Sequence, residues 1–393
     1  MNSEIDLQIG LANIGNTCFF NTVLQALRLC PAIGELFLSI EKPLTIREES
    51  KCKQLVLAFQ ILMRDFWKEM PPAGSKPTLI PRGFFQSLFT VLNETNNGWY
   101  TRGEQADAQE TVQYILESIH DGLYQKVNMR VIGNSSNCEE VSQIKAIESW
   151  ASSFEKEYSP IIQNFYGQTQ ICIRCEQCKT VSERYEPWMI LKVPIPGGNV
   201  QGGPVPNLDN CVEAAFANDS IDDFHCNTCS NENAKKNGVM TPIKGKAIIT
   251  NRISRLPPVV ILSIKRFTNE GHKVRGKIDW NLDTIDLSPV MAFSRNPFND
   301  MDLPKYETYA VIEHHGSLQG GHYTMYAKQN NEWLEYDDNS ITNVTPDRVV
   351  SADSYIMFLL PKEKSLQMNV NFAKIVKSYR NFYNSNNATK SSS

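Results

Sequence analysis

The sequence predicts an α+β fold in which a helical first third is followed by antiparallel strands. Three early segments carry apolar residues at the i, i+3, i+4, i+7 spacing of amphipathic helices. These apolar sets are Phe20, Val23, Leu24 and Leu27; Leu55, Phe59, Leu62 and Phe66; and Ala108, Val112, Ile115, Leu116 and Ile119. From Phe165 onward, short β-rich runs are separated by Pro and Gly clusters, which is typical of strands. Because helices come first and strands second, an α+β body is favoured over alternating βαβ units.

The ends of these elements follow from helix-breaking residues. Pro31 ends the first helical pattern, Pro71 and Pro72 end the second, and the third ends near Gly122. The clearest strand runs span residues 188–193, 259–264 and 306–312. The first third therefore supplies helices and the remainder supplies a sheet.

Three further segments are predicted to lack regular structure. Residues 126–150 are polar and weakly periodic, which indicates a variable surface connection. Residues 194–206, PIPGGNVQGGPVP, contain too much Gly and Pro for either period. After Pro361 the chain becomes rich in Asn, Ser and Lys, and we expect residues 367–393 to form a polar, flexible tail.

The composition limits the function classes. The chain has 393 residues, with 39 Lys+Arg against 43 Asp+Glu, so a slightly acidic net charge of −4 gives no support to nucleic-acid binding. No apolar run reaches the roughly 18–20 residues that span a membrane, and the N-terminus does not resemble a signal peptide. We therefore expect an intracellular protein, cytoplasmic or nuclear, whose ten cysteines are reduced rather than paired in disulfides.

Cys18 lies in GLANIGNTCFFNTVLQAL, directly before the first helical pattern. Either Asn16 or Thr17 can cap that helix, which places Cys18 in its first turn. The helix dipole and free backbone N–H groups there favour a nucleophilic thiolate and can bind an oxyanion. Asn13 lies close enough to lend a side-chain amide to the same site. The alternative is a buried structural thiol, which is the usual state of a free cysteine.

A predicted hairpin near the C-terminus places a histidine beside a carboxylate. A two-residue turn at Gln329–Asn330 sets His322 directly opposite Asp337, where the carboxylate can hold the imidazole in one tautomer. A register shifted by one residue selects Asp338 instead. A cysteine at a helix start, a distant histidine and then an acid is the chain order of papain-like proteases. We interpret His314 and His315 as structural residues at a strand end.

Two Cys-x-x-Cys pairs, Cys175/Cys178 and Cys226/Cys229, predict a tetrahedral Cys₄ zinc site. Four thiolates leave no open coordination position, so such a zinc ion is structural. Spacing alone leaves three alternatives open. Cys172 and Cys175 form a competing pair, and His225 could replace one thiolate. Unliganded thiols are a third possibility.

Together these segments resemble the ubiquitin-specific protease family. GLANIGNTCFFNTVLQAL is similar to the family's Cys box, and VIEHHGSLQGGHYTMY with WLEYDDNSITNV is similar to its His box. GEQADAQETVQYILESIH resembles the family's glutamine–aspartate helix, although Gln109 stands where a His is frequent. CEQCKTVSERYEPWMILKVPIP and HCNTC resemble its zinc-ribbon fingers, and LPPVVILSIKRF resembles a palm strand. The matches run in order from about Gly10 to Leu360.

The resemblance implies a papain-like fold of thumb, palm and fingers in a single catalytic domain, residues 1–366. The thumb is expected at about 1–160, the fingers within about 165–250, and the palm mainly at about 160–200 and 245–362. It also implies hydrolysis of the isopeptide or peptide bond after the C-terminal glycine of ubiquitin. The implied partners are ubiquitin and ubiquitinated proteins, with no nucleic acid or membrane, and the implied state is a monomer.

The resemblance also implies roles for individual residues. The catalytic set is Cys18 as nucleophile, His322 as general base, Asp337 as the third triad member, Asn13 as the oxyanion-hole amide and Asp338 as an adjacent acid. The residues implied to line the channel for ubiquitin's tail are Gln105, Asp107, Phe267 and Tyr323. The implied ligands of one structural Zn²⁺ are Cys175, Cys178, Cys226 and Cys229.

Three alternatives stay open at this stage. Asp107 can serve simply as a helix cap, because Asp107-x-x-Glu110 has capping-box spacing ahead of an apolar run. The chain could also be a catalytically silent ubiquitin-binding protein of the same fold, although its intact Cys18, His322 and Asp337 favour an enzyme. A protease for a ubiquitin-like modifier is the third alternative, since modifier specificity lies in surfaces that these motifs do not define.

Overall fold

The structure, a computed structural model, describes residues 8–68, 75–95, 97–131, 135, 137–197, 205–238, 242–268, 270–298, 303–317 and 320–391. Its helices are α1 (Cys18–Arg28), α2 (Pro31–Leu38), α3 (Lys53–Trp67), α4 (Arg82–Glu94), α5 (Ala108–Leu123), α6 (Cys138–Phe154), α7 (Pro160–Phe165), α8 (Leu208–Ala215), α9 (Asn227–Asn237), α10 (Pro346–Val349) and α11 (Lys362–Ser391). Its strands are β1 (Gly10–Leu11), β2 (Thr78–Leu79), β3 (Gly167–Cys175), β4 (Val181–Trp188), β5 (Ile190–Pro194), β6 (Asp219–His225), β7 (Lys244–Arg255), β8 (Val260–Lys265), β9 (Tyr306–Ser317), β10 (Gly320–Gln329), β11 (Glu332–Asp337), β12 (Ser340–Val344) and β13 (Ser354–Pro361).

The predicted α+β order is confirmed, with helices α1 to α5 forming a thumb around an aromatic core. Every residue of α1 is buried, because this helix lies between the other thumb helices and the sheet. Phe20 has edge-on ring contacts with Phe85 and Tyr100 at 5.0 and 5.2 Å between centroids. The apolar sets that predicted α1, α3 and α5 are buried in this core, whereas α2 and α4 were not predicted.

The palm is a seven-stranded sheet in the order β12-β11-β10-β9-β13-β8-β5. Its neighbouring strands are antiparallel except for the parallel β5–β8 pair. One face packs against the thumb and buries Met325 and Ile312, whereas the other covers α8 and buries Val311 and Trp333. Burial on both faces explains why β13 is almost continuously apolar and why β9 carries an apolar run at residues 309–312.

The fingers are a four-stranded antiparallel sheet in the order β4-β3-β7-β6. β3 ends at Cys175, and Cys178 lies in the turn that leads to β4. At the end of β6, Cys226 caps α9, and Cys229 lies in the first turn of that helix. The sheet therefore brings both cysteine pairs to one end.

The structure corrects the prediction for residues 126–150. This segment includes most of α6, which begins after Asn137, whose side chain accepts a hydrogen bond from the backbone N–H of Glu140. The buried side of α6 is a narrow strip of Ala146, Trp150 and Phe154. A strip at i, i+4, i+8 among polar residues gives a weak period, so the sequence pattern did not reveal the helix.

The predicted flexible tail is also wrong, because residues 362–391 form the helix α11. Phe372, Val376 and Tyr379 are between 0% and 6% exposed and pack against α2 and α3. A Cβ on Gly34 of α2 would lie 2.1 Å from the Phe372 ring, so the two helices approach closely at this glycine. The Asn- and Ser-rich composition concealed an apolar stripe with helical spacing.

Some predictions fall outside the described residues: Pro71 and Pro72, most of the 194–206 loop, and the first seven residues. Among the helices that the structure describes, none combines the length and apolar character needed to cross a membrane.

Candidate active site

Cys18 begins α1 after a tight turn that folds the chain back on itself. Thr17 is the N-cap residue, although its side chain makes no capping bond to the helix. Gly15 and Asn16 have φ values of 121° and 53°, in the left-handed region that permits such a turn. The Oδ1 atom of Asn13 accepts hydrogen bonds from the backbone N–H groups of Gly15 and Thr17, both at 3.1 Å. The turn therefore holds the Asn13 amide beside the first turn of α1.

Cys18 is a buried thiol in the free protein, being 2% exposed. Burial raises the pKa of Cys18, and the backbone amide of Tyr323, within hydrogen-bonding reach of the sulfur, only partly offsets this rise. The predicted thiolate is therefore not the favoured form of the free protein, because loss of hydration outweighs the helix N-terminus. Tyr323 directly follows His322 in the sequence. The Cys18 sulfur therefore lies beside the peptide group that joins these two residues.

His322 Nε2 lies 2.6 Å from Asp337 Oδ1. The register differs from the predicted one, since Gln329 pairs with Glu332 and the turn lies at Asn330–Asn331, both with positive φ. This turn is one residue later than predicted, and Asp337 becomes a diagonal rather than a direct neighbour of His322. Moving the turn by one residue shifts the strand pairing by two residues, so both side chains stay on the same face of the sheet. Diagonal neighbours on one face lie within reach of long side chains.

The hydrogen bonds of Asp338 go to the turn before Cys18 and to α1. Its carboxylate accepts hydrogen bonds from Asn13 Nδ2 at 2.9 Å and from Asn21 Nδ2 at 2.7 Å. Asp338 has a φ of 51°, which turns its side chain out of the β11 ladder. The two adjacent carboxylates therefore bind different partners, Asp337 the imidazole and Asp338 the amides of the turn and of α1.

Gln105 connects the thumb to the strand that carries His322. Its Nε2 donates to Gly321 O at 2.7 Å, and its Oε1 accepts from Gly321 N at 2.8 Å. A Cβ at position 321 would lie 2.3 Å from the carbonyl oxygen of His315, so only glycine fits here. The side chain of Gln105 thus pairs with Gly321 as a neighbouring strand's backbone would.

Asp107 is a helix cap, as its spacing predicted. Its Oδ1 accepts from the backbone N–H groups of Gln109 at 2.7 Å and Glu110 at 3.3 Å. Tyr355 Oη donates to its other oxygen at 2.7 Å. Glu110 does not complete the capping box and instead accepts from the Trp99 indole at 3.2 Å. A contact of Asp107 with ubiquitin's tail stays a prediction.

His314, which the sequence indicated as a structural residue, is buried in β9 beside two of the predicted channel residues, Tyr323 and Phe267. Its ring lies 4.6 Å from the Tyr323 ring and 5.6 Å from the Phe267 ring, between centroids. It is 4% exposed, and its Nδ1 has no hydrogen-bond partner among the described residues. Burial, with a contribution from nearby Lys273, lowers the pKa of His314 to about 4. The only sequence signal for this contact with the predicted channel residues was the position of His314 beside His315. That position also suits a structural residue at a strand end.

The stability of the protein is expected to fall between about pH 6.5 and pH 4 because of His314. The unfolded chain binds a proton at this residue below about pH 6.5, whereas the folded protein resists it until about pH 4. The free energy of unfolding should therefore decline as the pH falls through this window, by at most about 3 kcal/mol from this group. Urea unfolding at pH 7 and pH 4.5 measures the decline. It should be smaller in His314→Gln and unchanged in the exposed control His272→Gln; equal declines in all three proteins would contradict the assignment.

The four predicted zinc ligands lie together. The Sγ atoms of Cys175 and Cys229 are 3.9 Å apart, those of Cys178 and Cys226 are 3.5 Å apart, and all four lie within 4.8 Å of one another. Sulfurs bound tetrahedrally at about 2.3 Å from one ion are about 3.8 Å apart, so the cluster has the size of a Cys₄ metal site.

The two alternative ligands fall outside this cluster. Among the described side chains, neither Cys172 nor His225 joins it. Cys172 lies within β3, between Glu183 of β4 and Thr250 of β7. A residue three positions before Cys175 on a strand points to the opposite face of the sheet, which explains the exclusion of Cys172.

Curated proteins similar in sequence to this chain are ubiquitin carboxyl-terminal hydrolases. Ubiquitin carboxyl-terminal hydrolase 2 from Bos taurus is 27% identical over 369 residues, covering 89% of this chain and 54% of the relative. Ubiquitin carboxyl-terminal hydrolase 4 from Saccharomyces cerevisiae is also 27% identical, covering 91% of this chain and 39% of the relative. The chain therefore spans about half, or less, of the length of these curated relatives.

Among solved structures, the SAGA Ubp8/Sgf11/Sus1/Sgf73 DUB module bound to ubiquitin aldehyde matches with a TM-score of 0.63 and 19% identity. The match covers 89% of this chain and 69% of that one. This likeness supports the predicted fold of thumb, palm and fingers. The family model described as ubiquitin carboxyl-terminal hydrolase matches residues 9–359, nearly the whole chain. The chain therefore belongs to the ubiquitin carboxyl-terminal hydrolase family.

Proposed function

We propose that this chain is a deubiquitinating thiol protease that hydrolyses the isopeptide or peptide bond after the C-terminal glycine of ubiquitin. The observation that carries the proposal is the 2.6 Å bond between His322 and Asp337 on strands that pack against the helix of Cys18. Membership of the family and the names of the relatives support the same substrate.

In the first step the Cys18 sulfur attacks the carbonyl carbon of ubiquitin's terminal glycine, and His322 takes the thiol proton. His322 Nε2 faces Asp337, so Nδ1 is the ring nitrogen that accepts this proton. The Asp337 carboxylate holds the required tautomer and stabilises the imidazolium ion that forms. A buried thiol fits this order of events, because the proton leaves Cys18 when the substrate arrives.

Asn13 and the backbone N–H of Cys18 are the proposed donors to the tetrahedral oxyanion. An amide nitrogen carries two N–H donors, so the bond from Asn13 to Asp338 leaves one for the substrate. Asp338 also binds Asn21 of α1, which fixes the amide with respect to the nucleophile's helix. Each preorganised donor of this kind typically contributes roughly 3 kcal/mol.

The intermediate then collapses to products. His322 returns its proton to the leaving amine as the carbon–nitrogen bond breaks, and the glycine remains on Cys18 as a thioester. A water molecule, deprotonated by His322, attacks the thioester carbon. The carbon–sulfur bond breaks, the sulfur recovers the proton, and ubiquitin leaves with a free carboxylate.

Gln105, Asp107, Phe267 and Tyr323 are proposed to line the channel for ubiquitin's tail. Gln105 and Gly321 approach each other across the thumb and palm, and Phe267 and Tyr323 flank the buried ring of His314. A narrow channel between such groups suits glycines, which have no side chains to exclude.

The cysteine cluster is proposed to bind one Zn²⁺ through Cys175, Cys178, Cys226 and Cys229. Four thiolates complete a tetrahedral site, so the ion would supply cross-linking of β3 to α9 rather than chemistry. We propose that it stabilises the fingers against which ubiquitin rests.

The function is tested with a ubiquitin that carries a C-terminal thiol-reactive group. The wild-type protein should form a covalent adduct, and Cys18→Ala should form none although it still binds ubiquitin. Failure of the folded wild-type protein to react despite tight binding would favour a silent ubiquitin-binding protein. Reaction only with the corresponding probe of a ubiquitin-like modifier would favour the other alternative, and either result would overturn the proposal.

A further inference from the structure

Arg28 is a buried cation at the end of the nucleophile's helix. It is the last residue of α1 and is 0% exposed. Its guanidinium carbon lies 5.0, 5.3 and 5.7 Å from the ring centroids of Phe66, Trp67 and Tyr336. Its Nη2 donates to Tyr336 Oη at 3.2 Å. Burying a guanidinium costs free energy, so cation–π contacts and hydrogen bonds must offset that cost at this position.

These contacts join the helix of the proposed nucleophile to the strand of the proposed third triad member. α1 begins at Cys18 and ends at Arg28, whereas β11 carries Tyr336 and, as its next residue, Asp337. Asn21 of the same helix binds Asp338, which directly follows β11. The helix and the strand are therefore attached at two points, and fixing Tyr336 fixes the backbone of Asp337.

The C-terminal helix α11 packs against Trp67, one of the three rings that contact Arg28. The Phe372 ring meets the Trp67 ring edge-on, with centroids 5.2 Å apart, and Arg380 Nε donates to the Trp67 carbonyl at 3.0 Å. Trp67 is 1% exposed, so it has little freedom to move once α11 is packed. α11 lies beyond residue 359, where the family match ends.

We propose that Arg28 is a positioning residue for the catalytic site. Through Tyr336 it holds β11, and with it Asp337, at a set distance from α1 and Cys18. Packing of Phe372 on Trp67 makes α11 part of this support. The inference rests on the proposed function for its kinetic readout, because Asp337 matters only if His322 acts as the base.

Tyr336→Phe in the full chain tests the proposal while keeping the ring and its packing. It removes only the hydroxyl that binds Arg28, so the protein should still fold. Arg28→Met is less suitable, because it removes the buried guanidinium itself and could prevent folding. We expect kcat on a ubiquitin–peptide substrate to fall about tenfold with KM within about twofold, since hydrogen bonds to charged groups are stronger than neutral ones. Tyr326→Phe is the matched control, because its hydroxyl donates to Glu335 across the β10–β11 pair and not to a residue of α1.

A double-mutant cycle tests the contribution of α11. Phe372→Ala should lower kcat and, combined with Tyr336→Phe, should give less than the product of the two single effects, because both act on one support. Phe382→Ala is the control on the same helix, since Phe382 is 52% exposed. Multiplicative effects would overturn the role of α11, and equal kcat values for Tyr336→Phe and Tyr326→Phe would overturn that of Arg28.

A second readout separates this inference from the proposed function. The pH dependence of iodoacetamide alkylation at Cys18, followed by mass spectrometry of the Cys18 peptide, reports the state of His322 without ubiquitin. Tyr336→Phe should shift this profile and Tyr326→Phe should not. An unreactive ubiquitin probe with a shifted profile would contradict the proposed function alone, whereas an unshifted profile would overturn the positioning role.

Discussion

Replacement of His322 by glutamine is expected to lower kcat for cleavage after ubiquitin's C-terminal glycine by a factor on the order of 10⁴ or more. Glutamine can still hydrogen-bond to Asp337, but it cannot take the proton from the buried Cys18 thiol or return it to the leaving amine. Because burial raises the pKa of that thiol, little thiolate exists to react without a base. Steady-state hydrolysis of a fluorogenic ubiquitin substrate measures the loss.

His315→Gln is a closely matched control for this substitution. His315 pairs with His322 across β9 and β10, and the two side chains are 43% and 42% exposed. His315 faces Asp353, at 3.3 Å, and Thr324 rather than the proposed triad. Its substitution should change kcat less than about threefold, the range of a partly exposed change that removes none of the proposed reacting groups. Equal losses in both variants would contradict the assignment of His322 as the base.

The parts of the candidate site that could be predicted from the sequence depend on local geometry. The helix start after the Gly15–Asn16 turn determines where Cys18 lies, and the pleat of a hairpin determines that His322 and Asp337 share a face. The prediction placed the turn one residue before its true position at Asn330–Asn331, which shifts the strand pairing by two residues. His322 and Asp337 still share a face, because the side-chain period in a strand is two. Two consecutive Asn residues, which tolerate positive φ, were the available signal for the true turn.

The parts that could not be predicted depend on burial and on distant contacts. The protonation state of Cys18 follows from desolvation by segments far along the chain, which outweighs the local effect of the helix N-terminus. The neutral state of His314 has the same cause. The helix α11 was not predicted, because packing of Phe372 over Gly34 stabilises it, whereas its Asn-rich composition is typical of an irregular segment. Such contacts between distant segments can be identified only in the tertiary structure.

Exchange of Cys226 for serine is expected to abolish the proposed zinc binding and to lower the free energy of unfolding of the fingers by more than about 4 kcal/mol. Cys226 contributes twice to this end of the sheet. Its sulfur lies 3.5 Å from that of Cys178, and the same sulfur accepts a hydrogen bond from the backbone N–H of Cys229 at the start of α9. Without the ion, β3 and α9 lose the link that joins them at the tip. Zinc content by inductively coupled plasma mass spectrometry and guanidinium unfolding measure the two effects.

Cys172→Ser is the control, because Cys172 lies on β3 only three residues before Cys175 but on the opposite face of the sheet. It should keep one zinc per chain and cost about 1 kcal/mol or less. The rate of Cys18 alkylation should stay the same in both variants, since Cys18, His322 and Asp337 belong to the thumb and palm, whereas binding of ubiquitin should weaken in Cys226→Ser alone. A Cys226→Ser protein that retained its zinc and its stability would show that the four cysteines do not form the metal site. Loss of zinc with full ubiquitin affinity would instead show that the ion holds the finger tip without shaping the surface that ubiquitin contacts.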